Sequence, residues 1–191
     1  MASVSSRLVP LALLAFTMLD AQRAIADPID QAAAIETKLG TAFAATQAAL
    51  LAKSIVLSRD AALEDGVAEI PAPIRASLEG YVPDETLARV RWRAGGAWDL
   101  LAQGAFMLKD AQAVTLDYVI VFAREDEALN DPKLWAHELK HVMQYEEWGI
   151  DGFAARYVND NVAVESDATE YRWEFMKLRG LVPAPSVAPE P

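Results

Sequence analysis

The stretch that decides the fold is NDPKLWAHELKHVMQYEEWG, from Asn130 to Gly149. Its ends carry helix signals, since Asp131 can accept hydrogen bonds from first-turn N–H groups and Pro132 suits the first helical position. Gly149 suits the residue just beyond a helix, because it has no Cβ to oppose a left-handed backbone. The segment therefore predicts a helix that carries the polar residues of its centre on a rigid support.

The centre of this helix reads HELKH, with His137, Glu138 and His141. Residues four apart lie on one face of a helix, so both imidazoles can point at a single ion. Glu138 lies about 100° around the helix from His137, where its carboxylate can reach a water on that ion without being a ligand. The chain has only two histidines and places both here. The motif predicts one Zn²⁺ per chain, with room for a third ligand and a water.

The third ligand must lie elsewhere, and it can be neither histidine nor cysteine, since the chain has no cysteine. Glu165 is the first candidate: it follows His141 by 165 − 141 = 24 residues. Two antiparallel helices joined by a short linking helix could bring it under the histidines. Asp167 is the second candidate. The alternative is that Glu165 only pairs with an arginine, either Arg156 or Arg172.

HELKH followed by Glu165 resembles the zincin metallopeptidases whose third ligand is a glutamate, the gluzincins. More narrowly, the stretch from Ile70 to Glu170 is similar to the small metallopeptidase-like core domain associated with extracellular contractile injection systems. The matching features are PAPIRASLEGYVP before a VRW strand, the apolar TLDYVIVF, LWAHELKHVMQYEEWGIDGFAARYV and an acidic ExxA helix at Glu165–Ala168.

The resemblance implies an α+β, zincin-like fold that is mainly helical, with a small β-sheet next to the motif helix. It implies His137, His141 and Glu165 as zinc ligands and Glu138 as the catalytic base. One position departs from the family pattern. Gluzincins often carry a carboxylate four residues after the ligand glutamate to orient a histidine, and Thr169 stands there instead.

The rest of the chain predicts a simple set of elements. Arginines alternate along Thr86–Arg93 and are expected on a solvated face; the alternative is that they meet an acidic substrate. Leu116–Ala123 is expected to form the sheet edge beside the motif helix, on which a peptide could add as a strand. The predicted elements are a helix over Pro28–Arg59, a short helix within Ile70–Pro83, strands over Thr86–Arg93 and Val114–Arg124, and a helix over Trp98–Leu108.

The N-terminus has the layout of a secretory signal peptide. An apolar run of 12 residues, Leu8–Leu19, follows Arg7, and the small residues of Ala24–Ala26 precede Asp27. We expect cleavage after Ala26 and an exported product, periplasmic or secreted. The run is shorter than the roughly 20 residues of a membrane helix. No later stretch is expected to reach that length, so no stable membrane insertion is expected after cleavage.

The domain organisation follows from these segments. Residues 1–26 are the signal peptide, 27–69 an N-terminal helical segment, 70–180 the zincin-like metal-binding domain and 181–191 a proline-rich disordered tail. The N-terminal segment is interpreted as a packing helix; the alternative is a pro-segment that covers the site.

Composition narrows the function classes. The chain carries 28 acidic against 17 basic residues, a formal net charge of −11, which argues against nucleic acid as a partner. The first hypothesis is an exported zinc metallopeptidase that acts on a peptide or protein substrate. The second is a catalytically quiescent metal-binding docking module of a cell-envelope or injection-system-type assembly, and the third is a helical structural protein with an accidental motif.

Overall fold

The computed structural model describes residues 28–95 and 112–182. The expectations for the signal peptide, for the helix over Trp98–Leu108 and for most of the proline-rich tail lie outside these residues. The chain forms two compact units, residues 1–43 and 44–191. In the first unit, the described residues belong to the start of a long helix. The second unit contains the sheet, the HELKH motif and all of the packing described below.

The long N-terminal helix, α1, runs from Pro28 to Glu64 as one element. Within the second unit it packs through Ile55 and Ala62, which are both buried. Leu50 and Leu57, on the same helix, are exposed. The expectation of a helix over Pro28–Arg59 is confirmed, and these two leucines do not belong to its packed face.

By length and composition, one helix in the described part of the chain could cross a membrane, and it lies in α1, over Asp30–Glu64. The expectation that no stretch beyond the signal peptide reaches membrane length is therefore wrong. A helix that packs into a protein core passes the same test, and Ile55 of α1 lies in a buried cluster with Tyr145, Phe153 and Val164.

Four strands and four further helices follow α1 in the described part of the chain. They are β1 (Ala68–Glu69), α2 (Ala72–Leu78), α3 (Asp84–Arg89), β2 (Arg91–Ala94), β3 (Ala113–Leu116), β4 (Val119–Phe122), α4 (Glu125–Asn130) and α5 (Pro132–Leu178). The strands form one small mixed sheet in the order β1-β2-β4-β3, in which β2 and β4 are parallel and the other neighbours antiparallel. The α+β class, mainly helical with a small sheet, is confirmed.

Both strand predictions are corrected in detail. Thr86–Arg93 divides into the end of α3 and the strand β2, because Pro83 precedes a helical turn rich in acidic residues. Val114–Arg124 is a hairpin, not one strand, and Asp117 at its turn has a φ of 59°. The edge strands of the described sheet are therefore β1 and β3, while β4 lies inside between β2 and β3.

The arginine row is neutralised within the second unit. Arg93 forms an ion pair with Asp65 at 2.8 Å, and Arg89 forms one with Asp117 at 3.2 Å. Arg91 donates to the backbone carbonyl of Val90 at 2.8 Å. These contacts occupy the guanidinium groups and disfavour the alternative of an acidic substrate.

The sheet is joined to the motif helix by a cluster of aromatic rings. Trp92 of β2 meets Trp135 of α5 edge to face, with ring centroids 6.1 Å apart, and Phe122 lies 4.8 Å from the same ring. The indole N–H of Trp135 donates to the carbonyl of Ala128 at 2.7 Å. Such buried aromatic packing, with its polar atom satisfied, fixes the start of α5 over the sheet.

The helix α5 is divided by two residues with non-helical backbone angles. Gly149 has φ 68° and ψ 171°, and Asp160 has φ −157° and ψ 75°. We name the resulting parts the motif segment (132–148), the linking segment (150–159) and the ligand segment (161–178). Asp160 accepts a hydrogen bond from the N–H of Ala163 at 3.0 Å and so caps the ligand segment. The predicted sequence of helix, short linking helix and helix is confirmed.

Candidate metal centre

The three predicted ligands lie together. The Nε2 atoms of His137 and His141, one turn apart on the motif segment, are 3.2 Å from each other. Oε2 of Glu165, on the ligand segment, is 3.3 Å from the His137 nitrogen and 3.5 Å from the His141 nitrogen. The two bends in α5 thus bring a carboxylate to the open side of the histidine pair.

These distances fit a divalent metal ion. Zinc binds histidine nitrogen and carboxylate oxygen at about 2.0–2.2 Å in tetrahedral geometry, so two of its ligand atoms lie about 3.3–3.5 Å apart. The three donor atoms form a triangle with sides of 3.2, 3.3 and 3.5 Å. His137, His141 and Glu165 are therefore a group that could hold a metal ion. Nitrogen and oxygen donors suit several divalent transition metals, so these ligands are compatible with zinc and with other metals of this class.

Glu165 is held in the orientation that a ligand needs. While Oε2 faces the histidines, Oε1 accepts a hydrogen bond from the hydroxyl of Tyr157 at 3.2 Å. Burial raises the pKa of Glu165, but hydrogen bonds from His137 and His141 outweigh it and shift this pKa well below its usual range. The carboxylate is thus anionic and faces the histidines, so the alternative in which it only pairs with an arginine is disfavoured.

Glu138 lies beside the group and is not one of its members. Its side chain is 4% exposed, and its Oε2 accepts a hydrogen bond from Oγ1 of Thr115 at 2.7 Å. The same hydroxyl lies 3.2 Å from the backbone carbonyl of Glu138. A strand residue of β3 therefore fixes the rotamer of the carboxylate that follows the first histidine.

The edge strand β3 is covered on the side of the motif helix. All four of its residues are buried, and the carbonyl of Thr115 accepts a hydrogen bond from the hydroxyl of Tyr145 at 3.3 Å. Strand addition needs free backbone groups on an edge. The expectation that Leu116–Ala123 forms such an edge is wrong, because Val119–Phe122 is the inner strand β4 and only Leu116 belongs to the edge strand β3. On β3, the carbonyl of Thr115 is already bonded to Tyr145.

The ring of His141 has a partner that the sequence analysis missed. Its Nδ1 lies 2.8 Å from Oε1 of Gln144, three residues further along the same helix face. Gln144 in turn contacts Asp167 at 2.8 Å. Asp167, the second candidate for the third ligand, is thus placed behind the histidine and not at the triangle. Thr169 is exposed, so the orienting role expected at that position is filled from the motif segment instead.

The two histidines differ in their outer contacts. Burial lowers the pKa of His141, but its contacts with Glu165, Glu138 and Gln144 outweigh burial and raise that pKa. His137 keeps Nδ1 buried without a hydrogen-bond partner among the residues that the structure describes. His141 thus has a polar partner at both ring nitrogens, whereas His137 has one only at Nε2 among the described residues.

Three tyrosines of the second unit, Tyr145, Tyr157 and Tyr171, have different surroundings. Tyr157 lies at the site, through its bond to Glu165. Tyr145 is buried and stacks on Phe153 with ring centroids 3.9 Å apart, and Tyr171 exchanges hydrogen bonds with Tyr81. Tyr145 and Tyr171 are thus packing residues.

A cavity of about 910 Å³ lies on the outer side of Glu165. Its walls come from the start of the motif segment and from the ligand segment, and they include Lys133, Thr169 and Trp173. The Glu165 side chain is 41% exposed, against 14% for His137 and 8% for His141. Of the three ligands, Glu165 is thus the most exposed and the one that lines this cavity.

One comparison with known families gives a match. A model of the eCIS core domain, named for extracellular contractile injection systems, matches residues 69–149. The matched stretch includes His137, Glu138 and His141 and ends before Glu165. Searches of curated proteins and of solved structures return no match. The resemblance to this core domain is confirmed over those residues.

Proposed function

We propose that this chain is an exported, zinc-dependent hydrolase of peptide bonds, of the zincin type. The observation that carries the proposal is the triangle of His137, His141 and Glu165, with Glu138 directly after the first ligand. A divalent ion, when bound, activates water and polarises a carbonyl at neutral pH. The three ligands leave one position of a tetrahedral site open, as in catalytic zinc centres.

The residues around the ligands have complementary roles in this proposal. Glu138 accepts the proton of the attacking water as a general base and later returns it to the leaving amine. Its Oε2 is engaged by Thr115, so Oε1 is the proton acceptor. Tyr157 keeps Glu165 turned towards the histidines by holding its other oxygen.

The substrate approaches through the cavity beside Glu165. Trp173 on its wall is 47% exposed and offers an apolar surface for a side chain of the substrate. Lys133, which also lines the cavity and lies 3.9 Å from Asp131, offers a cation for a carboxylate or a carbonyl. A peptide, which has both apolar side chains and polar backbone groups, fits this mixture better than a purely apolar ligand does.

A second candidate function is a quiescent metal-binding docking module of a cell-envelope or injection-system-type assembly. Two observations favour it: Glu138 is almost fully buried, and the carbonyl of Thr115 on the edge strand β3 is already bonded to Tyr145. The match to a core domain of injection systems is compatible with the same role. In this case the metal serves to fix the ligand segment against the motif segment.

The experiment that separates the two is a peptide-library digest under matched zinc. It compares the wild type with Glu138→Gln, Glu165→Gln and a control, Glu170→Gln, which changes an exposed carboxylate of the same cavity. The enzyme proposal expects hydrolysis in wild type and Glu170→Gln and a loss of about 10²- to 10⁴-fold in Glu138→Gln with zinc retained. Glu165→Gln should lose zinc as well. Zinc-loaded wild type without hydrolysis supports the docking module.

A further inference from the structure

Gln144 is buried in the second unit and has hydrogen-bond partners at both the nitrogen and the oxygen of its side-chain amide. Its side chain is 1% exposed. The amide Nε2 donates to Oδ2 of Asp167 at 2.8 Å and to the carbonyl of Val164 at 3.2 Å. Its Oε1 faces Nδ1 of His141 at 2.8 Å.

These partners fix which way the amide points. Asp167 and the Val164 carbonyl only accept hydrogen bonds, so the NH₂ group of Gln144 must face them. The amide oxygen then faces His141 and can only accept. His141 must therefore carry a proton on Nδ1, which leaves Nε2, the nitrogen beside His137 and Glu165, as the one that can bind a metal ion.

The same amide also joins two parts of α5. Gln144 lies on the motif segment, whereas Val164 and Asp167 flank Glu165 on the ligand segment. Asp167 is further held by Lys140, whose Nζ lies 3.2 Å from its Oδ2. One buried side chain thus sets the tautomer of one ligand and anchors the helix that carries another.

We propose that Gln144, oriented by Asp167, is the positioning residue of the metal centre. Its amide oxygen is the hydrogen-bond partner of the His141 ring, a role that the exposed Thr169 does not fill. The Asp167 carboxylate in turn accepts a hydrogen bond from the same amide. The inference rests on the metal site of the proposed function and concerns binding alone, so it holds for the enzyme and for the docking module. Outer partners of metal-bound histidines typically change metal affinity by 10- to 100-fold.

The test uses tag-free protein, whose chain has only two histidines, so that two imidazole rings account for the whole ¹⁵N histidine spectrum. At alkaline pH and without metal, the wild type should show His141 with the proton on Nδ1. Gln144→Leu should remove that preference and weaken zinc binding about 10- to 100-fold in competition with a chelating dye. Thr169→Ala, the control, should change neither reading.

A double variant keeps the test valid if Gln144→Leu does not fold. In Gln144→Glu with Asp167→Asn, a carboxylate oxygen accepts from His141 and the new amide donates to the other oxygen. The Nδ1–H tautomer should return in this variant, whereas Gln144→Glu alone places two carboxylates in contact and should weaken zinc binding.

The outcomes separate this inference from the proposed function. A wild type with the Nε2–H tautomer at His141, or a Gln144→Leu variant with unchanged tautomer and affinity, overturns the inference and leaves the zinc site standing. A folded double variant without the Nδ1–H tautomer also overturns it. A wild type that binds no zinc but loses the tautomer in Gln144→Leu overturns the proposed function and keeps the ring contact.

Discussion

Oγ1 of Thr115 lies 2.7 Å from Oε2 of Glu138, and both side chains are buried. This bond joins the edge strand of the sheet to the residue that would act as the base. It holds the Glu138 carboxylate in one rotamer in the absence of substrate. The sheet therefore contributes to the site through the Thr115 hydroxyl.

Thr115→Val should separate this role from metal binding. Valine keeps the shape of threonine but cannot donate to Glu138, so hydrolysis should fall by about 10- to 100-fold, the usual cost of losing a hydrogen bond to a charged group. Zinc content, measured by elemental analysis, should stay at the wild-type value. Thr115→Ser keeps a hydroxyl and is the matched control. Equal activity in all three proteins contradicts the role.

Tyr157→Phe should weaken the metal site and leave the packing in place. The phenol bonds only the outer oxygen of Glu165, while its ring lies 5.7 Å from that of Phe153, and phenylalanine preserves the ring. Loss of one hydrogen bond should lower zinc affinity by about 3- to 10-fold. Tyr171→Phe, remote from the ligands, is the control, and an equal loss there means that general destabilisation is the cause.

Gly149→Ala should destabilise the second unit through its backbone alone. A Cβ at this position would have nothing within 4 Å, but its φ of 68° and ψ of 171° belong to a region that side chains avoid. The expected loss in free energy of unfolding is about 1–3 kcal/mol, measured by urea denaturation. Gly40→Ala, also without neighbours within 4 Å but inside helix α1, should be neutral or stabilising. A neutral Gly149→Ala contradicts the account of the bend.

Export can be tested by cell fractionation with N-terminal sequencing. The prediction is a product that begins at Asp27 in the periplasm or the medium, without detergent. The experiment must also examine detergent extracts of the membrane fraction, because Asp30–Glu64 in α1 is long and apolar enough to span a membrane. Recovery only in detergent extracts of the membrane fraction contradicts a soluble exported product.

The site could be predicted from the sequence as far as helix geometry determines it. The spacing of His137 and His141 fixes their common face, and Gly149 marks where the motif segment ends. The placement of Glu165 needed one further assumption, that the chain reverses through a linking helix. That assumption held because a glycine and a capping aspartate produce both bends within ten or so residues.

The remaining parts of the site depend on contacts that no local pattern encodes. Thr115 and Glu138 are 23 residues apart, and their bond exists only because the hairpin brings β3 beside α5. The hairpin itself was missed because its turn, at Asp117, lies inside a continuous β-favouring stretch. Gln144 did carry a signal, three residues after His141 on the same helix face, but only its bond to Asp167 shows that it faces inward.

The central claim is that His137, His141 and Glu165 bind one divalent metal ion. The most direct measurement is zinc stoichiometry by native mass spectrometry of tag-free protein after zinc loading and removal of excess metal. The account predicts one zinc per chain in wild type and in Glu170→Gln, and none in His137→Ala or His141→Ala. A wild type without zinc, or a His137→Ala variant that keeps it with wild-type affinity, would contradict the claim.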